Sequence, residues 1–237
     1  MCSDQLDVIR KTCRDLADSN NAADCQRYFK TGPGEYAEGD IFLGIRVPTI
    51  RSLARRFVDA SHDTVIELLH SKFHEERLLA LIIWTLQFEK SFSDRQQRIY
   101  EAYLANTKWI NNWDLVDLSA YKIVGAWLDD RDKSELFELA RSTNLWERRI
   151  SIVSTMFFIR KNRFDETIAI TDILIDDTED LIHKAVGWML REVGKRDVET
   201  LTTVLKSRYR SMPRTMLRYA IEKFDKSLRQ KYLQGSI

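Results

Sequence analysis

Long stretches of the chain place apolar residues three and four positions apart, which is the spacing of one face of an α-helix. Prolines are rare, with three among 237 residues, and four of the eight glycines precede residue 45. The pattern therefore predicts an almost entirely α-helical chain whose one substantial loop is TGPGEYAEGD at 31–40. This loop lacks the GxxxxGK[ST] order of a phosphate-binding loop, so we do not expect it to bind phosphate.

Five helical segments resemble one another, since each opens on a large apolar residue, continues through charged positions and then presents an apolar stripe. Their starts are 40, 33, 35 and 31 positions apart, within the range of two-helix repeats. They begin at Phe73, Trp113, Trp146, Leu181 and Met212.

Shorter helical stretches, such as KSELFELARS and DETIAITDIL, lie between these segments. We therefore predict an all-α fold, a HEAT-like α-solenoid of two-helix repeats that occupies residues 1–237 as one domain. The second helices of the pairs would line a concave, basic groove of a curved superhelix. A globular helical bundle without this curvature is the alternative.

Composition limits the class of protein further. The longest apolar run, LLALIIWTL at 78–86, is too short for a membrane helix, which requires roughly 20 apolar residues. The amino terminus, MCSDQLDVIR, lacks the pattern of a secretory signal, so we expect a cytoplasmic protein. The cysteines at 2, 13 and 25 lack metal-ligand spacing and are expected to be reduced thiols.

The charge is distributed unevenly, although the formal net charge is only +1. From Lys184 onward there are 13 Lys and Arg against 5 Asp and Glu, whereas residues 1–183 have 24 against 31. A basic carboxyl-terminal segment can form a phosphate-binding surface, or it can simply supply solvated helix faces. Charge alone favours neither interpretation.

Candidate chemistry begins in the segment NNWDLVD, where Trp113 and Asp117 are one helical turn apart and share a face. Later repeats carry comparable sets at spacings of three and four, and related repeat positions should meet on one surface. An acid, several indoles and several cations on one surface would suit a cationic substrate flanked by phosphates. The later sets are Trp146 with Arg149, and Lys184 with Trp188 and Arg191.

Each of these residues also has a purely structural interpretation. Asp114 fits a first-turn acid favoured by the helix dipole behind an asparagine cap. Asp117 lies beyond that turn, and its spacing fits a salt-bridge partner as well as a catalyst. Arg148 and Arg149 could be solvated or could bind phosphate. Trp84 and Trp127 are expected to fill the core.

A metal site is not expected. His70 and His74 are one turn apart, but HEERL has leucine where the HExxH zinc motif requires its second ligand. No serine or cysteine is paired in sequence with a convincing base. We therefore expect neither a metal nor another cofactor.

The motifs GDIFLGIRVPTIRSLA, NNWDLVDLSA, WERRISIV and LIHKAVGWMLREVGKRD resemble, in order, those of the DNA alkylation repair (AlkD-like) family of HEAT-like-repeat DNA glycosylases. The resemblance runs from about Tyr28 to Tyr232. It implies a cytoplasmic repair enzyme that removes positively charged N-alkylated purines, such as 3-methyladenine and 7-methylguanine. The implied partner is double-stranded DNA containing alkylated bases, and we expect the protein to be a monomer.

The resemblance also implies roles for individual residues. Asp117 corresponds to the catalytic acid of the family, Trp113 to its aromatic companion and Trp188 to a second active-site indole. Arg149 and Arg191 correspond to cations near the scissile nucleotide. The remaining candidate DNA-binding residues are Arg148, Lys184, Tyr28 and Arg46.

The chemistry of the implied substrate fits these residues. An N3- or N7-alkylated purine departs as a neutral base, so the leaving group requires no general acid. The deoxyribose becomes oxocarbenium-like, and a nearby carboxylate can stabilise it or can position the attacking water. We predict a monofunctional glycosylase that leaves an abasic site. The alternatives are a non-catalytic DNA-binding solenoid and a protein-binding scaffold.

Overall fold

The computed structural model describes residues 2–237, with side chains from Gln5 onward, and confirms the all-α prediction. The only β pairing within these residues is an isolated parallel bridge between Ile41 and Phe73. The helices are α1 Cys2–Asp15, α2 Ser19–Tyr28, α3 Val47–Arg56, α4 His62–Leu69, α5 His74–Glu89, α6 Ser93–Ala105, α7 Trp113–Ala120, α8 Ser134–Ala140, α9 Leu145–Ser154, α10 Met156–Ile159, α11 Asp165–Leu174, α12 Asp180–Arg196, α13 Val198–Arg208, α14 Arg214–Ala220 and α15 Lys226–Gln234.

The contacts of the chain divide it into two compact units, one ending at Ser119 and the other formed by Ala120–Ile237. Each is described by itself below. The single domain over residues 1–237 stays a prediction.

In the first unit, α5 is the central helix. It packs against α3, α4 and α6, and every residue from His74 to Thr85 is buried. Trp84 is fully buried there, as predicted for a core residue. Because α5 is buried on all sides, the charged residues of its first turn are buried as well, and each must find a partner.

The loop before α3 is fixed by the first turn of α5. Gly44 has a φ of +82°, and a Cβ at this position would lie 2.1 Å from the carbonyl oxygen of Asp18. The buried Glu75 carboxylate accepts hydrogen bonds from the backbone N–H groups of Leu43, Gly44 and Ile45, at 2.8, 2.7 and 3.3 Å. One acid thus satisfies three backbone donors of an irregular segment.

In the second unit, α8 packs on α9, while α11 and α13 pack on α12. The second helices of successive repeats also pack on one another, because α12 lies against both α9 and α14. The predicted repeat starts at Trp146, Leu181 and Met212 correspond to α9, α12 and α14. This stacking is the arrangement of an α-solenoid.

Two glycines allow the repeat helices to approach closely. A Cβ at Gly125 would lie 2.3 Å from the carbonyl oxygen of Ser154, and one at Gly187 would lie 2.5 Å from that of Met216. Trp127 is buried, as predicted. The segment that was expected to be one regular helix from Trp113 contains a π-helical turn, Tyr121–Gly125, which packs against α9 and α10.

Candidate functional site

The amino end of α7 is anchored by Asn112, which is completely buried. Its side-chain oxygen accepts the backbone N–H of Trp113 at 2.8 Å, and its amide donates to Asp40 at 3.3 Å. The helix that carries Trp113 and Asp117 therefore begins at a fixed point of the first unit. Asn112 precedes α7 and its backbone carbonyl accepts the N–H of Val116, but its side chain bonds the first helical residue rather than the second or third, so the predicted side-chain cap stays a prediction.

Trp113 is half-buried and belongs to an aromatic cluster. Its indole stacks on Phe29, with ring centroids 5.3 Å apart and an interplanar angle of 19°, and meets the edge of Tyr28 at 6.1 Å. Tyr28 is 67% exposed. Two residues that were singled out from distant parts of the sequence thus contact each other at the surface of the first unit.

Asp117 is half-buried and lies one turn beyond Trp113 on α7. The pKa of the Tyr103 phenol is raised mainly by burial and also by the negative charge of Asp117. Tyr103 itself is hydrogen-bonded to Ser119 at 3.0 Å. Asp117 therefore combines partial access to solvent with a low-dielectric neighbourhood, in which charge interactions are stronger than in water.

Arg46 is exposed and precedes α3, where Pro48 occupies the first turn of the helix. It belongs to the first unit with Tyr28, Trp113 and Asp117.

The two adjacent arginines of α9 have different surroundings in the second unit. Arg149 is buried, and its Nη1 donates to the carbonyl oxygen of Leu181 at 2.5 Å. Arg148 binds Asp177 through Nε at 2.6 Å, and its Nη1 donates to the carbonyls of Ser142 and Thr143. Arg148 thus ties the loops at 142–143 and 177 to α9, and its binding of phosphate stays a prediction.

The three candidates on α12 are all half-buried and follow one helical face. Lys184 is paired with Asp180 at 2.7 Å, and Arg191 is paired with Glu222 of the segment after α14. The Lys184 hydrogen bond is the main reason why the pKa of Asp180 is lowered. Trp188 lies between these two cations along the helix. Both cations are engaged by carboxylates, and their binding of phosphate stays a prediction.

Sequence reasoning missed a buried charged cluster beneath Trp113. His74 lies between Asp40 and Asp114, and Arg77 binds Asp40 at 2.6 Å. Phe29, which stacks on Trp113, also contacts the His74 ring. The sequence signal for this cluster was HEER, directly before the apolar segment LLALIIWTL. Charged residues that begin a wholly buried helix must be paired.

Within residues 5–237, no group of three or more His, Cys, Asp or Glu side chains could hold a metal ion. None of the described helices is long and apolar enough to cross a membrane.

The all-helical arrangement has a counterpart among solved structures. A predicted DNA alkylation repair enzyme from Enterococcus faecalis superposes with a TM-score of 0.69 over 89% of this chain and 98% of that chain, at 17% sequence identity. At this identity the likeness concerns the fold, which is that of an α-helical repeat protein. No curated protein matches the chain significantly.

The family is shown by the sequence. The model of the DNA alkylation repair enzyme family matches residues 9–224, and the chain belongs to that family. The predicted resemblance is thereby confirmed, and the family name implies an enzyme that acts on DNA.

Proposed function

We propose that this protein is a monofunctional DNA glycosylase that hydrolyses the N-glycosidic bond of cationic N3- and N7-alkylated purines in duplex DNA. The observation that carries the proposal is α7, where half-buried Asp117 follows half-buried Trp113 by one turn in a chain of the DNA alkylation repair family.

The reaction needs little from the protein at the leaving base. The alkylated purine is already positively charged, so it departs neutral when the bond to C1′ breaks. The positive charge then passes to the deoxyribose, and the protein must stabilise this sugar and admit water to it.

Asp117 is suited to this task because an ionised carboxylate attracts the oxocarbenium-like sugar and can also accept a proton from water. The indole face of Trp113 attracts cations, and its stacking on Phe29 holds the ring in one orientation. Trp188 would contact the damaged nucleotide in the same way. Tyr28 extends the aromatic surface beside Trp113.

Arg149, Arg191 and Lys184 would bind backbone phosphates, and Arg46 would add an exposed cation in the first unit. These contacts position the nucleotide without selecting its base. Selectivity for alkylated purines would follow from the charge and lability of the lesion itself.

The test is release of 7-methylguanine from methylated duplex DNA by the wild-type protein and by Asp117→Asn. The variant should lose about 100-fold or more in the rate of release, the range seen when one preorganised electrostatic group is removed. Binding to duplex DNA with an abasic site should change little, because phosphate contacts supply most of that affinity.

Asp130→Asn is the matched control, because Asp130 is an exposed acid outside α7. It should release base at the wild-type rate. Undiminished release by Asp117→Asn would remove that residue from the mechanism. Salt-dependent duplex binding without any base release by the wild type would identify a non-catalytic DNA-binding protein instead.

A further inference from the structure

His74 is the first residue of α5 and is 1% exposed. Its Nδ1 lies 3.2 Å from Asp40 Oδ2, and its Nε2 lies 2.9 Å from Asp114 Oδ2. The two carboxylates come from the loop at 31–46 and from α7. The ring therefore bridges two parts of the first unit that are distant in sequence.

The geometry requires a positively charged ring. A neutral imidazole carries one N–H, so one of its nitrogens would direct a lone pair at a carboxylate oxygen. Asp40 is held in its ionised form by Arg77, and Asp114 Oδ1 accepts the N–H of Leu115 in the first turn of α7. An imidazolium donates to both acids and satisfies the whole arrangement.

The electrostatics agree with this protonation state. Burial lowers the pKa of His74, but the charge and hydrogen bond of Asp114 and the hydrogen bond of Asp40 outweigh burial and raise it to about 9. Burial of Asp40 opposes its ionisation, but the hydrogen bond from His74 and the charge of Arg77 lower its pKa.

The ring also supports the aromatic cluster. Phe42 stacks on His74 with centroids 4.5 Å apart, and Phe29 lies 5.2 Å away at a tilt of 38°. Phe29 in turn stacks on Trp113. His74 is thus linked to α7 in two ways, through the carboxylate of Asp114 and through the ring of Phe29.

We infer that His74, as an imidazolium clamped between Asp40 and Asp114, is a positioning residue that fixes Trp113 and Asp117 for the reaction. The effect of His74 on catalysis rests on the proposed function. The clamp itself can be tested without any base release. His74 does not touch the substrate. It acts through Asp114, Phe29 and the first turns of α7.

The other ionisable groups around the ring do not replace this clamp. Arg77 on the same helix is bound to Asp40. Glu75 accepts the backbone N–H groups of residues 43–45, and Glu76 is paired with Arg10 of α1 at 3.6 Å. Cys25 of α2 has a pKa raised mainly by burial, so it stays a neutral thiol at neutral pH.

The pH dependence follows from the raised pKa. The pKa of the His74 ring is about 9 in the folded protein, compared with an ordinary value of 6.5. The clamp is therefore complete below pH 6.5 and is lost as the pH rises through about 9. The rate of base release should therefore decline above about pH 9. Duplex binding should not follow the same decline.

The first measurement uses the unmodified protein and needs no activity. The histidine ring signals in NMR spectra should show one residue that stays protonated to about pH 9, together with a parallel change in the indole N–H signal of Trp113. His74→Gln and Trp113→Phe assign the two signals. A His74 signal that titrates near its ordinary pKa, or a Trp113 signal that does not follow it, would overturn the inference.

The second measurement is single-turnover base release by His74→Gln. We expect the single-turnover rate constant to fall about 10- to 100-fold, since small misplacements of catalytic groups can have effects of this size, while affinity for abasic-site DNA changes by less than about threefold. The alkaline decline seen in the wild type should be absent from the residual activity of the variant.

His70→Gln is the matched control. His70 lies in the same unit, stacks on Trp109 and is bonded to the neutral side chain of Asn106, so no imidazolium is required there. It should retain the wild-type rate and pH profile. A wild-type single-turnover rate constant in folded His74→Gln would refute the positioning role, whereas absence of base release from the wild type would refute only the proposed function.

Discussion

Replacement of Glu75 by glutamine tests whether one buried acid holds the loop before α3. Glu75 is 3% exposed, its Oε2 accepts the N–H of Leu43, and its Oε1 accepts those of Gly44 and Ile45. Gly44 has a φ of +82°, and a Cβ at this position would lie 2.1 Å from the carbonyl oxygen of Asp18. Among the described residues, the N–H groups of residues 43–45 have no acceptor other than Glu75.

The size of the effect follows from the number of donors. Glutamine retains one oxygen, which can keep two of the N–H groups, but its NH₂ faces the third donor and the charge is lost. Loss of one charge-assisted hydrogen bond together with one orphaned buried donor corresponds to about 2–4 kcal/mol of unfolding free energy. Glu75→Ala orphans all three donors, and we expect about 3–6 kcal/mol.

The assay is urea denaturation, with amide hydrogen exchange of residues 43–45 as the local measurement. Glu89→Gln at the exposed end of α5 is the control and should lie within about 0.5 kcal/mol of the wild type. The reasoning fails if Glu75→Gln is as stable as that control, or if all three amides keep their protection.

Three further predictions concern the second unit and the cysteines. Gly187→Ala should lower the free energy of unfolding, measured by urea denaturation, by about 1–3 kcal/mol, because the new Cβ would lie 2.5 Å from Met216 O and from Tyr219 Cβ. Gly32→Ala is the control and should be nearly neutral, because its Cβ would meet only a flexible glutamate side chain. In a Cys2→Ser background, a disulfide reagent should modify Cys25 well before Cys13. Burial raises the pKa of Cys13 to about 12, and the thiolate is the form that reacts. Arg148→Ala should lower the free energy of unfolding by about 3 kcal/mol, because the side chain of Asp177 is left buried without its arginine. An unchanged salt dependence of DNA binding in this variant would limit Arg148 to that structural role, whereas a reduced one would show that it also binds phosphate.

The helices could be predicted from sequence because their signal is local. Apolar spacing located the repeat helices that begin near residues 74, 145, 181 and 214, and the shared face of Trp113 and Asp117 follows from a spacing of four. The π-helical turn at Tyr121–Gly125, which packs against α9 and α10, was not predicted, because the apolar spacing of its segment fits an ordinary α-helix.

The partners of charged residues could not be predicted because they come from distant parts of the chain. The sequence gives no reason to distinguish Arg148 from its neighbour Arg149 as a phosphate ligand. In the structure Arg148 binds an aspartate 29 positions later, and Arg149 binds a carbonyl 32 positions later. His74 meets acids 34 positions before it and 40 positions after it. A single sequence gives no long-range pairing, so the role of such a residue stays open until a structure supplies its neighbours.

The two acids of α7 show how the clamp and the proposed chemistry can be separated. Asp114 and Asp117 are three residues apart, so His74 offsets negative charge near the proposed catalytic acid. Electrostatics alone predicts that neutralising His74 leaves more negative charge around the developing sugar cation and speeds the reaction. Positioning predicts the opposite sign, because α7 and Phe29 lose their fixed partner. A slower His74→Gln variant would therefore show that orientation outweighs charge, whereas a faster one would assign to His74 only a restraining charge.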